Sequence, residues 1–307
     1  MFIVLLMLSM SRASRAADVS LPIEDPLEVK GNLEVVGSST ITPIIRRLYK
    51  RFILEGYRGV MKLRGVGTGR GFKLFCQEGS ADIVMASRPI KAYETLACAT
   101  KGLTPVALTI GHDALTVVAN LENNFIDDVT EKQLQTIFTV NQWSEVNDAW
   151  PQDAIQRFIP SPGSGTLNYF VDTIFNGEED ELLVAAQTAK ERDPETIAQA
   201  VGNAVNGIGI IGYAFYKKSQ HTLKPVSIKQ VKPARETVEN GDYLLTRDLL
   251  VYSDTALIRD KPQVRAFLTF LLNHVGQEIE QVGYFPLSIE TLDNSKLELL
   301  GAMGIEP

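Results

Sequence analysis

Short apolar runs alternate with stretches of helical period along most of the 307-residue chain. Leu33-Glu34-Val35-Val36 reads as a strand, after which Ile44, Ile45, Leu48, Tyr49 and Phe52 recur at helical spacing. Val60 to Arg64 alternates as a strand does, and Phe72 to Cys76 predicts a helix. Ala81 to Ala86 predicts a buried strand. Val106 to Ile110 and Ala114 to Ala119 predict two more, on either side of His112 and Asp113. Further on, the pattern predicts a helix over 131–138, a strand at Ile155 to Ile159, and a helix through Leu167, Phe170, Val171 and Ile174. A helix over 194–205 precedes Gly207 to Tyr213, a strand with close backbone packing. Leu249 to Tyr252 is a last strand and Val264 to Val275 an amphipathic helix. Strands alternating with helices throughout, with no internal repeat or low-complexity linker, predict an α/β fold.

Three of the predicted strand-to-helix junctions share a chemistry. Gly37-Ser38-Ser39-Thr40-Ile41-Thr42-Pro43 follows the first strand, and Gly65-Val66-Gly67-Thr68-Gly69-Arg70-Gly71 the second. Pro160-Ser161-Pro162-Gly163-Ser164-Gly165-Thr166 follows the strand at Ile155. Glycines let a backbone approach a ligand closely, hydroxyls add donors, and the free N–H groups of a first helical turn favour an anion. One such turn alone is more often an N-cap without a ligand. Three in one chain point to an anion site. The Gly65–Gly71 stretch resembles two nucleotide motifs without matching either. Phe72 separates Gly71 from Lys73, which breaks the Gly-Lys-Ser/Thr ending, and the G-x-G-x-x-G spacing meets Arg70 or Phe72 where it needs glycine. Arg88, just after the Ala81–Ala86 strand, is placed to offer an oxyanion its planar fork of donors.

Composition narrows the partners. The chain is 45% hydrophobic with a net charge of −7, an ordinary soluble balance that argues against nucleic acid or an anionic membrane surface as the main partner. The three histidines, His112, His221 and His274, are scattered and not at ligand spacing with the cysteines, so no metal is expected. Phe2 to Met10 is almost wholly apolar, and Ser14-Arg15-Ala16 fits a cleavage site. Residues 1–17 are therefore expected to be a secretory signal, although no Lys or Arg precedes the apolar run. In an exported chain, Cys76 and Cys98 allow either a disulfide or two buried thiols.

Taken in order, these stretches resemble the phosphate-binding proteins of ABC-type phosphate transporters, a branch of the periplasmic binding protein superfamily. The landmarks are Gly37–Thr40, Gly65–Cys76, Ala81–Lys91, Gly163–Thr166, Ile211-Gly212-Tyr213 and Val282–Leu287. The resemblance implies a two-lobe periplasmic-binding-protein-like fold with hinge strands. One lobe would take residues 30–112 plus 248–307 and the other 113–247, with the hinge near His112–Leu115 and Asp248–Val251. It implies no catalysis and no cofactor. Inorganic phosphate would be held by Ser39, Thr40, Ile41, Thr68, Ser164, Gly165 and Thr166. A periplasmic monomer would deliver it to the membrane permease of an ABC transporter. The cysteine pair matches one branch of the family, which implies a Cys76–Cys98 disulfide.

The chain departs from the family pattern twice. Arg88 stands where many members carry an aspartate, and Pro160 where many carry an arginine. The expectation is that Arg88 supplies the missing guanidinium, and that Asp113 or Asp82 supplies a carboxylate able to accept the proton of hydrogen phosphate. Without such an acceptor the ligand would be another oxyanion, of sulfate or molybdate type. An exported hydrolase with Ser164 as nucleophile is the rival from a different class, although Pro162 breaks the G-x-S-x-G form. A structural or sensory protein that kept the fold and lost transport is a third reading.

Overall fold

The computed structural model describes residues 19–306; the secretory signal expected at residues 1–17 lies outside the described residues. Eleven strands are assigned among these: β1 (Leu33–Gly37), β2 (Met61–Gly65), β3 (Ile83–Ala86), β4 (Pro105–Asn120), β5 (Asp128–Val129), β6 (Gln156–Pro160), β7 (Thr188–Glu191), β8 (Gly207–Gly212), β9 (Leu223–Pro225), β10 (Ser227–Ile228) and β11 (Thr246–Asp254). Nine of them form one sheet, in the order β2-β1-β3-β11-β4-β8-β6-β7 with β9 also on β4.

The two strands expected on either side of His112 and Asp113 are a single strand, β4, of 16 residues. Its burial is continuous from Asp113 to Asn120, because different neighbours cover it along its length. Its first part pairs antiparallel with β11, from Pro105 opposite Asp254 to Ala114 opposite Thr246. Its last residues pair with β8 and β9 instead. β4 therefore runs out of one packed unit and into the next. A local polar interruption (His112, Asp113) read as a break because polar residues in a strand ordinarily mark its end.

The apolar side chains divide accordingly. One lobe centres on Leu33, Val35, Ile44, Leu48, Phe52, Leu108 and the helix Pro262–Glu278, which buries nine residues. The other centres on Leu115, Val117, Trp143, Phe170, Ile208 and Ile210. Phe285 packs into this second cluster although the residues before it pack into the first, and an isolated bridge joins it to His112. The C-terminal segment thus also passes between the lobes.

Parallel pairing decides where the turns go. Gly37 lies opposite Gly65 and Met85, so β1, β2 and β3 end together. In the second lobe Pro160 lies opposite Glu191, and β6 pairs parallel with β7 and β8. The carboxyl ends of parallel strands are where α/β sheets hold ligands, since there the following helices present their N-termini.

Candidate functional site

The first turn is shaped by Gly37. Its φ is +131°, and a Cβ there would stand 2.1 Å from the Met85 carbonyl oxygen, so only glycine lets β1 leave the sheet beside β3. The helix Thr42–Leu54 follows, with Pro43 in its first turn. Ile41 is its N-cap and makes no side-chain cap, although Ser39 and Thr40 stand next to it. The N–H groups of Thr40 and Ile41 donate to no acceptor among the described residues. Helix Thr68–Phe72 opens the second turn. Thr68 Oγ1 accepts the Ser87 N–H at 3.2 Å, which ties this turn to the end of β3.

The third turn is built by Pro162 and Gly163. Gly163 has φ +82°, and the Ser164 N–H closes the turn onto Ser161 O at 3.1 Å, the signature of a type II turn. Ser164 caps the helix Gly165–Ile174, its Oγ accepting the Leu167 N–H at 3.0 Å. The N–H groups of Gly165 and Thr166 donate to nothing among the described residues. None of these three helices carries an acidic residue in its first turn, so each presents an unopposed positive end.

Between the turns lies a residue that the sequence pattern did not single out. Arg247 on β11 is only 5% exposed. It lies opposite Asp113 in the β4–β11 ladder, and its Nε and Nη2 donate to Asp113 Oδ2 at 3.0 and 2.7 Å. Nη1 donates to Gly165 O at 2.8 Å and Nη2 to Thr40 Oγ1 at 3.2 Å. Its guanidinium stacks 5.4 Å from the Tyr169 ring centroid. One hinge-strand cation thus touches the first turn of one lobe and the third turn of the other. Asp113 Oδ1 accepts no hydrogen bond among the described residues. Tyr284 reinforces the first turn by donating its hydroxyl to Thr40 O at 2.6 Å, and burial pushes that hydroxyl's pKa up.

The sequence expectations divide around Arg247. Thr68 and Arg88 line a polar cavity of about 640 Å³ on one side, and Thr40, Ser164 and Thr166 line a second of about 440 Å³ on the other. Ser39, Gly165 and Arg247 border both. Ile41 is fully buried and offers only its backbone. Arg88 faces the polar cavity, but its Nη1 and Nη2 donate to both carboxylate oxygens of Glu94 at 2.8 Å. Those bonds hold the Arg88 pKa above its ordinary value, against the opposing effect of burial. For Glu94, burial alone would raise the pKa; the bonds from Arg88 and from the Lys91 N–H outweigh it and keep the carboxyl below the usual range. Of the two acidic candidates, Asp113 is at the site. Asp82 is elsewhere, accepting from the Glu34 N–H at 2.8 Å and from Lys261 at 2.6 Å. The sulfurs of Cys76 and Cys98 are bonded, joining the helical segment after Gly71 to the helix that carries Glu94. Asp113 lies within one hinge segment implied by the resemblance, and Arg247 immediately precedes the other.

Residues 25–274 match the PBP superfamily domain. The chain belongs to the PBP superfamily. Within the superfamily it is 32% identical over 280 residues to the phosphate-binding protein PstS of Staphylococcus saprophyticus, covering 88% of this chain and 84% of that one. It is 33% identical over 284 residues to the protein SphX of Synechocystis, covering 89% and 83%. Its fold is similar to the crystal structure of a possible phosphate-binding protein from Planctomyces limnophilus, with a TM-score of 0.77 at 31% identity over 90% of this chain and 99% of that one. Superfamily membership accounts for the two lobes and the strands that pass between them. Among the described residues no helix is long and apolar enough to cross a membrane.

Proposed function

We propose that this chain is an exported substrate-binding protein that captures inorganic phosphate between its lobes for an ABC transporter, without catalysing a reaction. The observation that carries the reading is Arg247, held on the hinge with donors directed to Thr40 on one lobe and Gly165 on the other. Phosphate would take the place between the first and third turns, receiving N–H bonds from Thr40, Ile41, Gly165 and Thr166 and hydroxyl bonds from Ser39, Thr40, Ser164 and Thr166, while Thr68 lines the cavity on the other side of Arg247. Arg247 rather than Arg88 supplies the central guanidinium; Arg88, paired with Glu94, acts from the rim. The relatives named as phosphate-binding proteins support the same ligand.

The free Oδ1 of Asp113 supplies an acceptor for the proton of hydrogen phosphate, a proton that sulfate lacks at neutral pH. Ligand adds contacts to both lobes only when they are together, so binding favours the closed form. The closed monomer then presents a surface that a membrane permease distinguishes from the open one. Residues 1–17 serve as the export signal, which places the mature protein in the periplasm. Ser164 Oγ is engaged as the helix cap, which supports binding over attack on a substrate.

Calorimetric titration with phosphate, competed by sulfate, tests the reading. Tight phosphate binding that excess sulfate leaves intact is expected. No heat and no thermal shift with phosphate, sulfate, molybdate or arsenate would refute it.

A further inference from the structure

The cavity on the Thr40 side of Arg247 is larger and more apolar than a bare oxyanion needs. Its volume is about 440 Å³. One end is formed by Thr40, Ser164, Thr166 and Arg247, the groups assigned above to the anion. Glu191 and Arg192 are also on the lining, and the apolar walls leading away from the anion groups are Pro43 and Val282 of the first lobe and Phe215 of the second. A tetrahedral dianion has no apolar surface to place against these side chains. The polar cavity on the opposite side of Arg247, lined by Ser38, Thr68, Ser87, Arg88 and Lys91, has the contrary character. A pocket of a few hundred cubic ångströms with apolar walls and a few convergent polar groups at one end is the arrangement that holds organic ligands.

We infer that the anion site has an apolar annex, and that the protein also binds small organophosphonates or phosphomonoesters, with the oxyanion head at Arg247 and the organic substituent between Pro43, Phe215 and Val282. The inference rests on the anion-site reading. A phosphonate keeps three oxygens for the helix N-termini and the guanidinium, and its carbon substituent takes the fourth direction. Both lobes contribute walls, so the substituent is enclosed only when the lobes are together. Burying it therefore adds to closure in the same sense as the head group.

The test is calorimetric titration of the purified protein with inorganic phosphate and with methyl-, ethyl-, propyl- and butylphosphonate, each also run in competition with phosphate. The expected result is competitive binding whose affinity rises about fourfold per methylene, the factor that ~0.8 kcal/mol per buried CH₂ corresponds to. Val282→Trp, which fills the annex, should abolish that rise and leave phosphate affinity within about twofold. Phosphate binding with no phosphonate binding, or with affinity flat along the series, overturns the annex and leaves the anion site standing. A rise that Val282→Trp does not alter overturns it as well, because the substituent then lies elsewhere. If neither phosphate nor any phosphonate binds, the anion-site reading itself fails and the annex with it. The series in the unaltered protein decides the matter if Val282→Trp folds poorly.

Discussion

Arg88 and Arg247 border the same polar cavity and differ in everything that surrounds them. Arg88 follows a strand end at the rim of one lobe, and both its terminal nitrogens are committed to Glu94, six residues along the chain. Its partner is local, so the pair keeps its geometry whatever the other lobe does. Arg247 has no local partner. Its contacts are Asp113 across the hinge ladder, Thr40 from one lobe and Gly165 from the other, all far away in sequence. The local pair is built to stabilise a rim, and the long-range one to register whether two lobes are together. An arginine's worth to a binding site thus follows from what orients it, more than from its being near a glycine-rich turn.

The largest effect should come from Arg247→Ala. It leaves Asp113 buried without its counter-ion, a loss of about 3–5 kcal/mol in folding stability by thermal or chemical denaturation. Phosphate affinity should fall at least a hundredfold, consistent with losing charge-assisted bonds of about 1.5–3 kcal/mol each. Retained affinity would remove Arg247 from the site and erase the contrast with Arg88.

The Arg88 region has its own staple. Cys76 and Cys98 are 22 residues apart, and replacing both by serine should lower stability by about 3 kcal/mol in the loop-entropy picture. Phosphate affinity should stay unchanged, because the disulfide braces the rim and not the hinge. Denaturant titration beside calorimetry separates the two readouts.

Arg88→Ala should cost about 1–3 kcal/mol of stability, the penalty for leaving the buried Glu94 without its counter-ion and with only the Lys91 N–H as donor, and less than about 1 kcal/mol of phosphate affinity. Its pH signature is specific. Glu94 has a folded pKa below its unfolded one, so its contribution to stability is present above the unfolded value and is lost as pH falls through the depressed folded value. In the variant, burial acts without the opposing bonds from Arg88. The Glu94 pKa then rises towards its unfolded value or past it, so the stability that acid removes through this group shrinks or changes sign. Identical acid-unfolding profiles would sink the assignment.

Tyr284→Phe is the finest probe. It removes the hydrogen bond to Thr40 O, worth about 1 kcal/mol, and should weaken phosphate binding only a few-fold through the position of the first turn. No change in affinity would show that this turn is held by Arg247 alone.

Several of these features were legible in the chain and others were not. The periodic stretches place Ile44, Leu48 and Phe52 on one face of a helix, and that is the face the structure buries. The three turns were legible because glycine, proline and hydroxyl residues act within a few positions of themselves. Gly163 at positive φ and Ser164 capping its own helix need no distant partner. The continuity of β4 was hidden, since His112 and Asp113 interrupt its apolar run. Each is satisfied by a residue more than a hundred positions away, His112 by Asp248 at 2.9 Å and Asp113 by Arg247.

The sequence by itself determined the α/β alternation, the presence of three anion-type turns, and the likeness to phosphate-binding proteins. All of these depend on residues close together in the chain, or on their order along it. Only the tertiary structure decided which arginine stands between the lobes, which aspartate accompanies it, and that an apolar cavity adjoins the anion position. Those depend on the register between β4 and β11 and on how two separately packed lobes meet. A charge in a strand carries no local sign of its partner, because ladder register is set by the packing of whole strands and not by the residue itself.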